Sequence, residues 1–203
     1  MKKYDTIFLD RDGTLNHDPG YINNLDSFTF FDFTFEALKL LKIFGDHFCI
    51  ITNQSGVGRG IINIDELSRI NSYILDEFYV NKLSLLGIYY CTDHPDNATD
   101  FRKPGVGMFD KASKDNNIDL KRSIMIGDTV SDIEPGLKLG MDTMLVLTGK
   151  GEESKSKLGE ISEFSNCDRA NTYKLTVKSI ERAQKKGWKR DDVFSFLRQM
   201  SQI

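Results

Sequence analysis

Short apolar runs punctuate the chain at regular intervals. Thr6 to Leu9, His47 to Thr52, Gly87 to Cys91, Ser123 to Ile126 and Thr143 to Leu147 each hold a few β-branched, aromatic or aliphatic residues. Runs of that length, apolar on both faces, predict buried strands. A different period fills the spaces between them. Phe35 to Phe44 carries Leu38, Leu40, Leu41 and Phe44 and closes on Gly45, which predicts a helix with a glycine stop. Ile64 to Leu83 carries Leu67, Ile70, Ile74, Leu75 and Phe78 at helical spacing, with Asn63 or Asp65 placed to cap it. Met108 to Asn116 and Ser131 to Leu139 predict two shorter helices, the second ending at Gly140. Strands that alternate with helices predict an α/β fold: a central parallel sheet in a three-layer, Rossmann-like arrangement with right-handed crossovers.

The connections are polar and glycine-rich. Asn16 to Asp32, with Pro19-Gly20-Tyr21, is too irregular for a helix and is expected to fold over the end of the first strand, with Phe28, Phe30 and Phe33 forming a short extended piece. Asn53 to Gly60 and Asp93 to Gly107 read as loops. Beyond Gly149 the periodicity fades. Gly151 to Asn166 predicts a surface loop or weak helix, and Leu175 to Ala183 and Asp191 to Met200 predict helices. No internal repeat is visible. The expectation is one domain over residues 1–203, with a core near 5–150 and a helical extension near 167–203.

Bulk composition narrows the setting. The net charge of −3 gives no global attraction to nucleic acid or anionic membrane. Three cysteines, odd in number and far apart, suit a reducing compartment rather than a disulfide framework. Asp10, Arg11 and Asp12 break the N-terminal apolar run too early for a secretory signal. These features predict a soluble, cytoplasmic, monomeric protein without nucleic-acid or membrane partners. Lys185 to Arg190, with Trp188, is the one basic aromatic patch, and it reads as a solvated helix start.

Chemistry collects at the strand ends. The first strand runs into Asp10-Arg11-Asp12-Gly13-Thr14, where residues two apart point the same way. Two carboxylates there repel unless a cation or a shared proton intervenes. The second strand ends in Thr52-Asn53-Gln54-Ser55-Gly56, the third leads to Arg102-Lys103-Pro104, and the fourth ends in Gly127-Asp128-Thr129. Carboxylate oxygens suit Mg²⁺, a lysine suits phosphate as a point charge, and a hydroxyl beside a glycine-rich loop offers donors to phosphate oxygens. Together they describe a site for a phosphate group bridged by Mg²⁺ to protein carboxylates.

Four motifs in this order resemble the haloacid dehalogenase (HAD) superfamily of phosphohydrolases over roughly residues 5–150. The resemblance implies that Asp10 is a nucleophile forming an aspartyl phosphate. It implies that Asp12 is the general acid and then the base, and that Thr52 and Lys103 hold the phosphoryl oxygens. Mg²⁺ would sit on Asp10, the Asp12 backbone carbonyl and Asp128. Asp132 either supports the metal through water or orients its neighbours. Asp10 and Thr52 are about 40 residues apart and Thr52 and Lys103 about 50, too few for an inserted cap of domain size. Selectivity then falls to loops 16–27, 53–62 and 91–107.

The stretches DRDGTLN, GYI, TNQSGVGRG, GIYYC, HP and RKPGVGM are similar to the capless branch that contains the heptose bisphosphate phosphatases and, as a close relative, the histidinol-phosphate phosphatase domain. That similarity implies substrate contacts from Asp18, Pro19, Gly20, Tyr21, Thr52, Asn53, Gln54, Ser55 and Arg102, and a role in nucleotide-heptose biosynthesis. An arginine beside the lysine suits a second anionic group.

Two departures matter. The branch carries a structural zinc on Cys-x-His and Cys-x-Cys in the loop after the third strand. Here Asp93, Thr99 and Phe101 replace three of those ligands and only Cys91 remains. The expectation is no zinc, with Phe101 packed inward. Thr129 replaces a lysine that meets substrate in the heptose enzymes, so the sugar stays open. Histidinol phosphate, a polynucleotide 3′-phosphate, and a non-catalytic phosphosugar-binding role are the alternatives. His17 is placed either at substrate or on the loop surface.

Overall fold

The computed structural model describes residues 4–160, with the side chains of 159 and 160 left aside; the helices expected at Leu175 to Ala183 and Asp191 to Met200 lie outside the described residues. Five strands form one sheet: β1 (Thr6–Leu9), β2 (His47–Asn53), β3 (Ser84–Cys91), β4 (Ile124–Gly127) and β5 (Asp142–Leu145). Every pairing is parallel and the order is β3-β2-β1-β4-β5. The chain therefore steps outward from β1 to β3, crosses back, and builds the other half through β4 and β5. Such a switch in direction leaves a crevice at the carboxyl ends of β1 and β4, where ligands of open α/β sheets bind.

The period-2 geometry of β1 explains the layers. Ile7 and Leu9 face one way and pack with Leu38, Ile70, Ile74 and Phe78. These last come from α1 (Thr34–Leu41) and α3 (Ile64–Val80). Phe8 faces the other way and packs with Met108, Phe109 and Ala112 of α4 (Gly107–Asn116). On that same face α5 (Val130–Lys138) brings Gly136 against Met125 and Thr143. The result is the expected three-layer α/β sandwich. Among the described residues, β1 and β2 are bridged by a 3₁₀ turn (Leu25–Ser27) and α1, and β2 and β3 by α2 (Ser55–Gly58) and α3, with no second sheet in either stretch. No described helix is long and apolar enough to cross a membrane.

Several local expectations shift. The first helix stops at Leu41, because Phe44 N–H turns back to Leu41 O at 2.9 Å and Gly45 lies against Tyr4 O. The Phe28–Phe33 stretch forms only an isolated bridge, Asn16 with Phe30. Its rings instead meet edge to face, Phe28 with Phe30 and Phe30 with Phe35. The glycine-rich stretch after β2 contains the single turn α2. In α3, capped by Asn63 accepting from Asp65 N–H at 2.8 Å, Leu75 is exposed and Asn71 is buried in its stead. Of the loop or weak helix expected after 150, the helix forms over the described part: α6 (Gly151–Glu160) sets Leu158 against Ile133, Leu145 and Leu147. Phe101 does not pack inward; it is 44 % exposed.

Candidate active site

Asp10 leaves the C-terminal end of the central strand at the crevice, and its backbone N–H still bonds to Ile126 O of β4. Its carboxylate is nine-tenths buried and accepts from Lys103 Nζ at 2.6 Å. Lys103 reaches it from the loop between β3 and α4. The ammonium also donates to Asp132 Oδ1 and to Ile51 O, each at 2.6 Å, so all three of its protons are placed. A clasp holds the loop there: Asn53 Nδ2 donates to Lys103 O, and Lys103 N–H donates to Asn53 Oδ1, both at 3.0 Å.

Asp132 is buried one turn into α5. Its Oδ2 accepts from Thr129 N–H at 2.9 Å and from Thr129 Oγ1 at 2.6 Å. Both its oxygens are thus engaged, one by Lys103 and the other by the helix start. Thr129, expected at substrate, lines the cleft but has its hydroxyl on Asp132 and Ser131. Asp128, directly after β4, accepts from Lys150 N–H at 2.7 Å and Thr14 Oγ1 at 3.4 Å. Gly13 (φ +84°) and Gly149 (φ +55°) press on its carboxylate; a Cβ on either would lie within 2.4 Å of Asp128 Oδ2. Only glycine allows both the dihedral and the approach.

Carboxylate oxygens of Asp10, Asp128 and Asp132 lie within 4.8 Å of one another. Three acids against one ammonium leave two net negative charges in a buried space. The electrostatics register this: burial, opposed by Lys103 and reinforced by Asp132 and Asp128, holds Asp10 well above the usual carboxylate range. Burial, together with Asp132, pushes Asp128 up to about 6. Lys103 is held protonated, since Asp10 and Asp132 more than offset its own burial. Hard oxygen donors with a deficit of two positive charges fit a divalent cation such as Mg²⁺.

Asp12 faces the same cleft from a separate support. Arg11, 1 % exposed, closes on it through Nε and Nη2, the shortest contact being 2.8 Å. Asn16 Nδ2 donates to Asp12 Oδ1 at 2.9 Å and Gln54 Nε2 to Oδ2 at 2.7 Å. Gln54 also donates to Thr52 Oγ1 at 2.9 Å, which leaves the Thr52 hydroxyl proton for a ligand.

The cleft has a volume of about 420 Å³. Of the residues singled out in the sequence, Asp10, Asp12, Asp18, Gly20, Tyr21, Thr52, Asn53, Gln54, Ser55, Arg102, Lys103, Asp128 and Thr129 line it. Pro19 is exposed and lies outside the lining, and His17 turns its ring to Phe31 at 4.3 Å. Sequence reasoning missed Arg11 and Lys150. Alternation along a strand turns Arg11 away from the Asp10–Asp12 face, whereas the chain bends there and buries it. Lys150 had a usable signal: Thr148-Gly149-Lys150-Gly151 follows the fifth strand, where the strand-end rule still applies.

An acidic pair on the middle strand, met by a lysine from the loop after β3 and a carboxylate after β4, is the order in which HAD phosphatases assemble their site, and the sheet that carries it has their form. A model of the HAD-hydrolase-like family matches residues 100–164. A protein of Pasteurella multocida (strain Pm70) named D-glycero-beta-D-manno-heptose-1,7-bisphosphate 7-phosphatase is 39 % identical over 172 residues, spanning 80 % of this chain and 92 % of that one. The Burkholderia mallei (strain ATCC 23344) protein named for the alpha anomer is 35 % identical over 152 residues, 71 % of this chain and 80 % of its own. The crystal structure of D,D-heptose 1,7-bisphosphate phosphatase from B. bronchiseptica, complexed with magnesium and phosphate, superposes with a TM-score of 0.69 at 26 % identity, covering 75 % of this chain and 86 % of that one. The chain belongs to the family of heptose-1,7-bisphosphate 7-phosphatases, and it is a phosphatase of the HAD superfamily.

Proposed function

We propose that the protein removes the 7-phosphate of a D-glycero-D-manno-heptose 1,7-bisphosphate through a phosphoryl-aspartate on Asp10. The observation that carries this reading is the pairing of two carboxylates with separate supports on one cleft: Asp10 in the Lys103–Asp128–Asp132 cluster, and Asp12 held by Arg11, Asn16 and Gln54. Asp10 Oδ attacks phosphorus while Asp12 delivers a proton to the leaving sugar oxygen; Asp12 then takes a proton from the water that releases phosphate. Thr52 donates to a phosphoryl oxygen, and Lys103 fixes Asp10 and offsets the charge that gathers on transfer. Mg²⁺, when bound by Asp10, Asp128 and the Asp12 carbonyl, supplies the positive charge that lets a carboxylate approach a phosphate dianion.

Asp132 acts as a support, since its oxygens are engaged by Lys103 and Thr129. Arg102, on the cleft and within 3.4 Å of Asp93 O, suits the second phosphate. Zinc has no part in the reading: Asp93 accepts from Thr99 N–H and Oγ1, at 2.8 and 2.6 Å, and His94 Nδ1 accepts from Asp96 N–H. We place the enzyme in a reducing cytoplasm, which three widely spaced cysteines suit, and read it as a monomer. The test is side-by-side turnover of both anomers of heptose 1,7-bisphosphate, histidinol phosphate and a 3′-phosphorylated oligonucleotide with Mg²⁺. The highest kcat/KM is expected on a heptose bisphosphate; a higher value on either of the others overturns the substrate.

A further inference from the structure

Among the described residues, four cationic side chains line the cleft, Arg11, Arg102, Lys103 and Lys150. Two are buried and committed, Arg11 to Asp12 and Lys103 to Asp10 and Asp132. Arg102 and Lys150 remain for a ligand, and topology sets them apart. Arg102 follows β3 and Lys150 follows β5, the two edge strands, so they flank the reacting centre on β1 from opposite sides.

Lys150 has a fixed root and a solvated tip. Its backbone N–H donates to Asp128 Oδ2 at 2.7 Å, directly after Gly149 in its left-handed conformation. Its side chain is 63 % exposed and its ammonium stands 3.5 Å from Asp18 Oδ2. Asp18 is itself held, accepting from Gly20 N–H at 2.9 Å. The contact is long and its lysine end is solvated, although the Asp18 side chain is only 13 % exposed, so the ammonium is the mobile partner and an incoming anion draws it away from Asp18. On the β4–β5 side, the residue after Asp128 is an uncharged threonine whose hydroxyl is engaged by Asp132 and Ser131. Among the described residues, a second phosphate arriving from that side meets no other uncommitted cation of the lining, since Lys103 is taken up by Asp10 and Asp132.

We propose that Lys150 is a specificity-determining residue: its ammonium leaves Asp18 to bind the second anionic group of a doubly phosphorylated substrate, across the cleft from Arg102. The inference rests on the phosphatase reading but not on the heptose. It is tested by measuring kcat/KM for wild type, Lys150→Ala and Lys150→Arg on two pairs, heptose 1,7-bisphosphate with heptose 7-phosphate and fructose 1,6-bisphosphate with fructose 6-phosphate. The bisphosphate-to-monophosphate ratio is expected to fall about tenfold or more in Lys150→Ala, chiefly through KM, and to recover in Lys150→Arg. An equal loss on both members of a pair would mean that Lys150 only latches the Asp18 loop, and would overturn the proposal. A wild type without bisphosphate preference in either pair overturns it as well. If the ratio collapses only on the fructose pair because the heptose compounds are not turned over, Lys150 stands and the heptose reading falls.

Discussion

Replacing Lys103 by methionine isolates the electrostatics of the site from its chemistry. The side chain is 2 % exposed and lies 2.6 Å from both Asp10 and Asp132. Methionine keeps much of the length and removes the charge. Two buried carboxylates then lose the ammonium that pairs them, and breaking a buried pair from one side costs about 3–5 kcal/mol. That is a large part of a typical domain stability of about 5–15 kcal/mol. The sign with pH follows from Asp10, which already sits above the usual carboxylate range and rises further without Lys103. A raised folded-state pKa means that the folded protein binds more protons than the unfolded one, so the variant loses stability as pH rises. Urea unfolding in EDTA at about pH 5 and about pH 7.5 reads both effects. The deficit relative to wild type should be several kcal/mol at the higher pH and clearly smaller at the lower. Adding Asp132→Asn, which removes one of the stranded charges, should restore at least about 1 kcal/mol. A deficit below about 1 kcal/mol that does not change with pH would refute the reasoning.

Gly149→Ala puts a Cβ 2.3 Å from Asp128 Oδ2 on a left-handed backbone, so kcat on any phosphomonoester should fall about 100-fold with a higher Mg²⁺ requirement, read in a metal titration. Asp128, raised by burial from 3.8 to about 6, makes the metal-free protein lose stability as pH rises through that window; Mg²⁺ should therefore raise Tm more above pH 6 than near pH 4, and an increment flat across thermal-shift scans would contradict this. Arg11→Met loosens Asp12 while leaving Asp10 in place, so the single-turnover rate of phosphoryl transfer to Asp10 should fall at least about tenfold more for sugar phosphates, whose leaving oxygen needs a proton, than for p-nitrophenyl phosphate, whose leaving group does not.

Much of the site was legible because its chemistry sits at strand ends, and strand ends are visible as places where apolar runs stop. Asp10 and Asp128 are found that way, each directly after a buried strand, and Thr52 is the last buried residue of another. Lys103 follows no strand directly, yet its neighbours Arg102 and Pro104 mark it. Other features belong to tertiary structure. Asn53 is placed at substrate by its position beside Thr52, and the structure adds a second task that local sequence does not show: its amide clasps the Lys103 backbone fifty residues on. Arg11 holds Asp12 from below while its ring neighbour Phe28 comes from a separate loop, 5.8 Å from the guanidinium carbon. The helix after Gly151 carries too few apolar residues to show a clear period; Leu158 is enough to seat it once β5 and α5 provide a surface. The hydrophobicity of Phe101 points it inward, yet the Asp93–Thr99 hydrogen bonds order that loop without it and the ring stays exposed.

The central claim is that Asp10 receives the phosphoryl group and Asp12 handles the protons. An Asp12→Asn variant should still be phosphorylated by p-nitrophenyl phosphate, whose leaving group needs no acid, and should then fail to activate water. Rapid quenching at acid pH followed by peptide mass spectrometry should find one added phosphoryl group on the peptide bearing Asp10, and none when Asp10→Asn is introduced as well. A phosphoryl group on any other residue, or its persistence in the Asp10→Asn background, would contradict the account.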